Sequence, residues 1–404
     1  MAGGNPRLPL DAIYLHVPFC YHKCHYCDFY SLVDQPTGKG DRQDRFTDAL
    51  IGELRHQAGT YDLRPRTLFV GGGTPTLLRP ELWQRLLTAL EQLGTLTTVE
   101  EFTVEANPET VTPELMATLA AGGVSRVSMG AQSFQPRLLK ALERWHEPAS
   151  VGRAAGLVRD AGIENLNLDL IFAIPGQTMA ELDADLDAVL ALAPTHLSCY
   201  SLIFEPDTAL TKKMQLGMVQ PMDEETERAM YERVMARLAA AGFEHYEVSN
   251  WASVQGAGDG DQGSGGGEGA GTLPNAARCL HNLIYWRNGD WLGAGPSAAS
   301  HVAGRRWKNQ PHIGRYLAEA PTPPIVDEER LPETQRVGEQ LMLGLRLRAG
   351  VRLDWLASVV PAGDPRHATI DECVGHGLLE RTATHLRLTH EGLFLADALI
   401  ARLL

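Results

Sequence analysis

The chain has 404 residues, long enough for more than one domain, and its 44 % hydrophobic and 21 % charged content is ordinary for a soluble globular protein. Its 36 basic against 50 acidic side chains give a net charge of −14 with no basic run, which argues against a general nucleic-acid or anionic-membrane binder. No apolar stretch approaches the roughly 20 residues of a membrane helix, and six Cys with no signal peptide argue against a disulfide framework, so the chain reads as cytoplasmic.

In chain order, residues 13–17 read as a first strand, followed directly by CYHKCHYC at 20–27. Helical spacing covers 41–57, and a short apolar strand at 67–70 ends in Gly71-Gly72-Gly73-Thr74-Pro75. The alternation continues with a helix at 80–93, a strand at 99–105, a helix opened by Pro113 over 113–121 and a strand at 124–129. Helices at 135–144 and 150–160 precede a strand at 165–171, a helix at 179–192 precedes a strand at 196–202, and a helix at 223–241 precedes a strand at 246–249. Some six strands alternating with helices predict parallel βα units curled into a complete or partial barrel, with chemistry at the C-terminal ends of the strands. Cys20, Gly71–Thr74, Glu105, Gln132 and Asp169 all fall at or just past such ends.

Beyond residue 250 the pattern breaks. Nine of the seventeen residues from 255 to 271 are Gly, a composition unable to order itself and read as a flexible insertion. Next come His281-Asn282-Leu-Ile-Tyr285-Trp286 and Gly289-Asp-Trp-Leu-Gly-Ala-Gly295. Helices at 337–345, 353–360 and 370–376, a hairpin over 377–389 and a last helix at 391–404 predict a small helical, winged C-terminal domain. The expected organisation is therefore a core at 1–250, the insertion with the His281 segment at 251–325, and the small domain at 326–404.

Three of the six Cys, Cys20, Cys24 and Cys27, stand within eight residues. Thiolates in such a group hold metal or an iron–sulfur cluster, and three ligands to a four-iron cluster leave one iron open for chemistry. Zinc is the weaker reading, since no second Cys pair follows at finger spacing. A Gly-rich turn after a strand is most often only a turn, although it also lets bare backbone approach a ligand. Glu105, closing a strand, can accept hydrogen bonds from ribose hydroxyls.

CxxxCxxC with Tyr26 before the last Cys resembles the signature of the radical S-adenosylmethionine (SAM) superfamily. GGGTP at 71–75, Thr-Val-Glu105-Ala-Asn-Pro, Gly-Ala-Gln132-Ser-Phe, Glu143-Arg144 and Asn167-Leu-Asp169 resemble the branch holding oxygen-independent coproporphyrinogen III oxidase and HemW-type haem chaperones. The resemblance implies a partial (β/α)6 TIM-like barrel with a [4Fe-4S] cluster on Cys20, Cys24 and Cys27. It implies SAM on the open iron, surrounded by Tyr14, Tyr26, Gly72, Gly73, Thr74, Glu105, Gln132, Arg144 and Asp169.

Two functions compete within that branch. The oxidase pattern is CxxxCxxCxC with a longer segment before the cluster, whereas here the fourth position is Phe29 and nineteen residues precede Cys20. HNxxYW at 281–286 resembles the mark of the HemW type, implying a haem carrier, not an enzyme, that passes haem to an acceptor protein. His281 is its expected axial ligand, with Asn282, Tyr285 and Trp286 beside it. A hydrogen-bonded core role is the bland reading of the same His, and a buried free thiol that of Cys279. The acidic balance makes a packing or covering role, not DNA binding, the expectation for the C-terminal domain. No nucleic acid and no transmembrane segment are expected, and a transient partner at the membrane remains compatible with the reading.

Overall fold

The computed structural model describes residues 7–35, 38, 40–254 and 277–404, so the Gly-rich run at 255–271 lies outside the described residues. The chain divides into two compact units. The first comprises Met1–Pro194, Cys199–Tyr231 and Gly289–Arg330, and the second Thr195–Ser198, Glu232–Asn288 and Leu331–Leu404.

In the first unit, strands β1 (Ala12–Val17), β2 (Thr67–Gly72), β3 (Glu101–Ala106), β4 (Arg126–Gln132) and β5 (Asn165–Phe172) pair in parallel in that order. They are buried almost continuously, as parallel strands covered on both faces are. Connecting helices are α1 (Arg42–Gln57), α2 (Pro80–Gln92), α3 (Pro113–Ala121), α4 (Pro136–Ala141), α5 (Pro148–Asp160) and α6 (Met179–Ala191). Four of them, α2 to α5, open on Pro, whose fixed φ and missing N–H suit a first helical position. α1 is capped by Asp41, which accepts from the Asp44 amide at 3.0 Å, and α6 by a capping box of Thr178 and Glu181. The parallel strand–helix alternation expected from the sequence is thus the arrangement observed.

One predicted helix ends early for a reason that matters to the site. Residues 135–144 read as one helix, but α4 stops at Ala141 and Glu143 adopts φ 55°. The amide of Arg144 then donates to Leu139 O at 2.9 Å and that of Glu143 to Lys140 O at 3.1 Å, a Schellman end. Arg144 therefore leaves the helix.

The segment after residue 288 was not legible as sheet. β6 (His196–Ser201) follows β5 in the strand order; α7 (Ala209–Gln215) and α8 (Glu224–Ala240) come next. Then β7 (Phe243–Glu247), β8 (Asn250–Ser253) and α9 (Leu280–Trp286) precede β9 (Trp291–Ala294), β10 (Ala299–Val302), β11 (Arg305–Asn309), α10 (Ile313–Glu319) and β12 (Ile325–Arg330). β9 joins the far side of β1 in parallel, Ala12 opposite Trp291, and β10, β11 and β12 continue antiparallel.

In the second unit the start of β6 pairs antiparallel with β8, which pairs with β7. The C-terminal part holds α11 (Glu333–Gly344), α12 (Leu353–Val359), α13 (Pro365–Gly375), β13 (Leu379–Arg381), β14 (His385–Leu388), α14 (His390–Phe394) and α15 (Ala396–Ala401). β13 and β14 form the expected hairpin, with Val351 and Arg352 added to its edge. The final helix is two helices, broken at Leu395 (φ −113°), after which Leu399, Ile400 and Leu403 enter the same core as Leu341, Ile370 and Leu386. Among the described residues no helix is long and apolar enough to cross a membrane.

Candidate functional site

The cysteine loop is closed at its base. Phe19 and Cys20 pair in parallel with Leu32 and Val33, the Leu32 amide donates to Pro18 O at 2.7 Å, and the Asp34 amide to Cys20 O at 2.9 Å. Cys20, Cys24 and Cys27 are free, half-buried thiols between these anchors. Burial pushes the Cys20 thiol up, and that of Cys27 up to about 11. Burial thus disfavours the ionised forms of Cys20 and Cys27, and bound iron would supply the positive charge that favours them. Among the described residues no three His, Cys, Asp or Glu side chains close on a point as around a single ion; thiolates that each take a different iron of one cluster stand further apart. The donor set fits a cluster.

Two donors reach the sulfurs from outside the loop. The Thr74 hydroxyl donates to Cys20 Sγ at 3.6 Å, and Arg144 Nη1 to Cys24 Sγ at 3.7 Å. Arg144 Nη2 also donates to Gly130 O at 2.8 Å and to Asn107 Oδ1, while Asn107 Nδ2 donates to Thr74 Oγ1 at 3.2 Å. Arg144 Nε is buried with no partner, a donor left over at the edge of this cluster.

The glycine segment is shaped by the protein itself. Gly72 has φ 104°, and a Cβ there would lie 2.3 Å from the His16 ring; one on Gly73 would lie 2.7 Å from the carbonyl oxygens of Val17 and Phe19. The amides of Gly72, Gly73 and Thr74 donate to Glu105 Oε2 at 2.9 Å, Val17 O at 2.8 Å and Phe19 O at 2.7 Å. The bare backbone here serves close contact with β1 and β3.

Burial, with the Asp169 carboxylate adding to it against the Gly72 hydrogen bond, pushes the Glu105 carboxyl up to about 7. Asp169 Oδ1 accepts from Asn167 Nδ2 at 2.7 Å, and β5 places Asp169 opposite Gly130. Gln132 sits at a register shift with φ 64°, the left-handed region that non-Gly residues seldom occupy. Tyr26 packs on Leu138, Leu142, Ile171 and Ile174, and burial raises its phenol far above the usual range. The Tyr14 hydroxyl lies 3.1 Å from Nδ1 of buried His16, whose Nε2 is 2.8 Å from Tyr30 O. A carbonyl only accepts, so the His16 proton is on Nε2 and Tyr14 donates to Nδ1.

Direct contacts thus join Cys20, Cys24, Gly72, Thr74, Glu105 and Arg144. Sequence reasoning gave no role to Asn107, weighed His16 only as a fourth ligand to zinc, and passed over Asp185 of α6, which accepts from the Ser133 hydroxyl at 2.7 Å beside Gln132. Asn107 and His16 stood inside motifs already singled out, two residues from Glu105 and from Tyr14. A groove of about 1000 Å³ between α1 and α10, lined by Arg42, Arg45, Arg55, His56 and Leu317, includes none of these residues.

In the second unit, His281, Asn282, Tyr285 and Trp286 lie on α9. His281 is 1 % exposed, its Nε2 is 2.8 Å from the Tyr285 hydroxyl, and burial lowers its pKa to about 3. Trp286 lies under the Arg346 guanidinium, 5.8 Å from ring centroid to Cζ. Cys279 is buried, and its amide donates to the Tyr246 hydroxyl at 3.2 Å.

The radical SAM superfamily model matches residues 14–189, and the HemN C-terminal domain model residues 331–395. The fold is shared with Escherichia coli coproporphyrinogen III oxidase (HemN), with a TM-score of 0.78 at 21 % identity, covering 99 % of this chain and 91 % of that one. Relatives described as "Heme chaperone HemW" include that of Mycobacterium tuberculosis, 37 % identical over 97 % of this chain and 94 % of the relative. Those of Lactococcus lactis and Escherichia coli are 33 % and 31 % identical, each over 98 % of this chain and over 97 % and 98 % of the relative. The chain belongs to the HemW family of the radical SAM superfamily.

Proposed function

We propose that this protein binds haem and transfers it to an acceptor protein, with a [4Fe-4S] cluster on Cys20, Cys24 and Cys27 and SAM beside it. The observation that carries the reading is the likeness, along nearly the whole of both chains, to relatives described as haem chaperones. Phe29 in place of a fourth loop Cys supports it against an oxidase. Held by Cys20, Cys24 and Cys27, the cluster would supply an open iron for the amino and carboxylate groups of SAM to chelate and an electron for redox chemistry.

The chain's own residues have separable tasks in this reading. Arg144 and Thr74 donate to the thiolates and restrain the loop. With the amides of Gly72, Gly73 and Thr74 committed to the protein, the glycine segment is left to offer acceptors to an ammonium group. Glu105 takes the ribose hydroxyls, with Tyr14, Tyr26, Gln132 and Asp169 completing the pocket. His281 binds the haem iron, with Asn282, Tyr285 and Trp286 around it, in a cytoplasmic protein.

The test is anaerobic reconstitution with iron and sulfide, then haem titration in parallel with incubation with coproporphyrinogen III, SAM and a reductant. A saturable Soret band with no protoporphyrinogen IX is expected. Decarboxylation without stoichiometric haem binding would mean an oxidase.

A further inference from the structure

We infer that Asn107 is a positioning residue that sets the reduction potential of the cluster, an inference that rests on the cluster reading above. Its side-chain amide lies between the two side chains that donate to cluster sulfurs. Nδ2 donates to Thr74 Oγ1 at 3.2 Å, which leaves the hydroxyl hydrogen of Thr74 to point at Cys20 Sγ, 3.6 Å away. Oδ1 accepts from Arg144 Nη2, and the same guanidinium reaches Cys24 Sγ at 3.7 Å. A guanidinium only donates, so the orientation of the amide is fixed by its partner.

The arrangement asks for one donor and one acceptor on a short side chain. Asp offers no donor to Thr74, Leu offers neither, and Gln is longer by a methylene. The loop does not depend on that side chain: the Asn107 carbonyl separately accepts from the Thr110 amide at 3.0 Å and hydroxyl at 2.9 Å. Substitution of Asn107 therefore frees Thr74 and Arg144 while leaving the backbone of the turn tied.

Hydrogen bonds to the sulfurs are among the factors that set an iron–sulfur potential. They stabilise the reduced, more negative cluster more than the oxidised one, so slackening two of them drives the potential down. The cluster gains one electron in this step, supplied in the experiment by dithionite.

The test is potentiometric titration of the reconstituted full chain, followed by electron paramagnetic resonance, with iron and sulfide assayed on each sample. Asn107→Ala is expected to hold the wild-type iron content while its one-electron reduction equilibrium falls about tenfold, a shift of about 59 mV to lower potential. Thr74→Val should also lower it, and the double variant should fall by less than the sum, because both act on one chain of contacts. A full cluster at wild-type potential in Asn107→Ala overturns the inference. If that variant takes up no cluster, Asn107→Ser is measured instead; absence of iron there too makes the residue merely structural and overturns it equally. A wild type that takes up no cluster overturns the cluster reading itself.

Discussion

Glu105 Oε2 accepts a 2.9 Å hydrogen bond from the amide of Gly72, 33 residues earlier on the neighbouring strand. The bond ties the glycine turn to a carboxyl that burial, helped by Asp169, pushes up to about 7. If this carboxyl takes the ribose of SAM, its ionised form is the stronger acceptor. Affinity should then rise with pH through about 7 and level off above it, falling up to tenfold per unit below. Calorimetric titration with SAM at pH 6, 7 and 8 checks this, and Glu105→Gln should flatten the profile. Equal dissociation constants at pH 6 and 8 in the wild type would remove Glu105 from the ribose.

The three thiols make a second expectation direct. If Cys24 holds iron, Cys24→Ser replaces its thiolate with a hydroxyl that does not ionise near neutrality, so the four-iron site should be lost or reduced to a small residue of wild-type iron. Visible absorbance and iron content after anaerobic reconstitution report it. An unchanged spectrum would place the cluster on other residues.

How much of this was legible depends on the range over which each feature is defined. The cysteine loop is local: Cys20, Cys24 and Cys27 declare themselves by spacing, and the parallel strands β1 to β5 by short segments rich in apolar residues that alternate with helical stretches. The strands after residue 290 were missed because they are short, four to six residues, and Gly, Ala and charged side chains interrupt any period of two. Asn107 was read as part of a motif, but its partners stand 33 and 37 residues away, so its bridging role appears only in three dimensions. The glycine turn was legible by composition, but the close neighbours that require glycine at 72 and 73, namely His16, Val17 and Phe19 of β1 and its continuation, appear only in three dimensions.

Gln132 holds its left-handed backbone at a cost of order 1–3 kcal/mol, which the surroundings must offset. The following turn is tied to α6 by buried Asp185, which accepts from the Ser133 hydroxyl at 2.7 Å, the Phe134 amide at 2.7 Å and Gln135 Nε2 at 3.1 Å. Asp185→Ala leaves buried donors unpaired and should cost about 3 kcal/mol in urea unfolding. If Gln132 lines the SAM site, Asp185→Ala should also weaken SAM binding, whereas Asp185→Asn, which keeps an acceptor, should lose less of both. A variant with wild-type stability would show that the turn holds itself.

The buried histidine of α9 gives a stability expectation with a definite sign. His281 titrates at about 3 when folded and about 6.5 when unfolded, because burial disfavours its charged form. Between those values the unfolded chain binds more protons, so stability rises with pH and is lost as pH falls below about 6.5. Relative to His281→Gln, which has no such titration, the wild type should lose about 2 kcal/mol on going from pH 7.5 to pH 5. Urea unfolding of both at the two pH values measures the difference, and parallel losses would show that His281 is hydrated and free to protonate.

The same histidine decides the haem reading. A neutral imidazole has one nitrogen with a free lone pair, and Nε2 of His281 lies 2.8 Å from the Tyr285 hydroxyl. If Tyr285 donates to Nε2, iron must displace that hydrogen bond, a competition worth about 1 kcal/mol net. Tyr285→Phe should then tighten haem binding about fivefold while His281→Ala abolishes the Soret shift. If Nε2 instead carries the proton, the lone pair is on Nδ1, and Tyr285→Phe should leave affinity unchanged or weaken it by loosening the ring. Haem titration of both variants separates the two tautomers, and wild-type binding by His281→Ala would place the axial ligand on another residue.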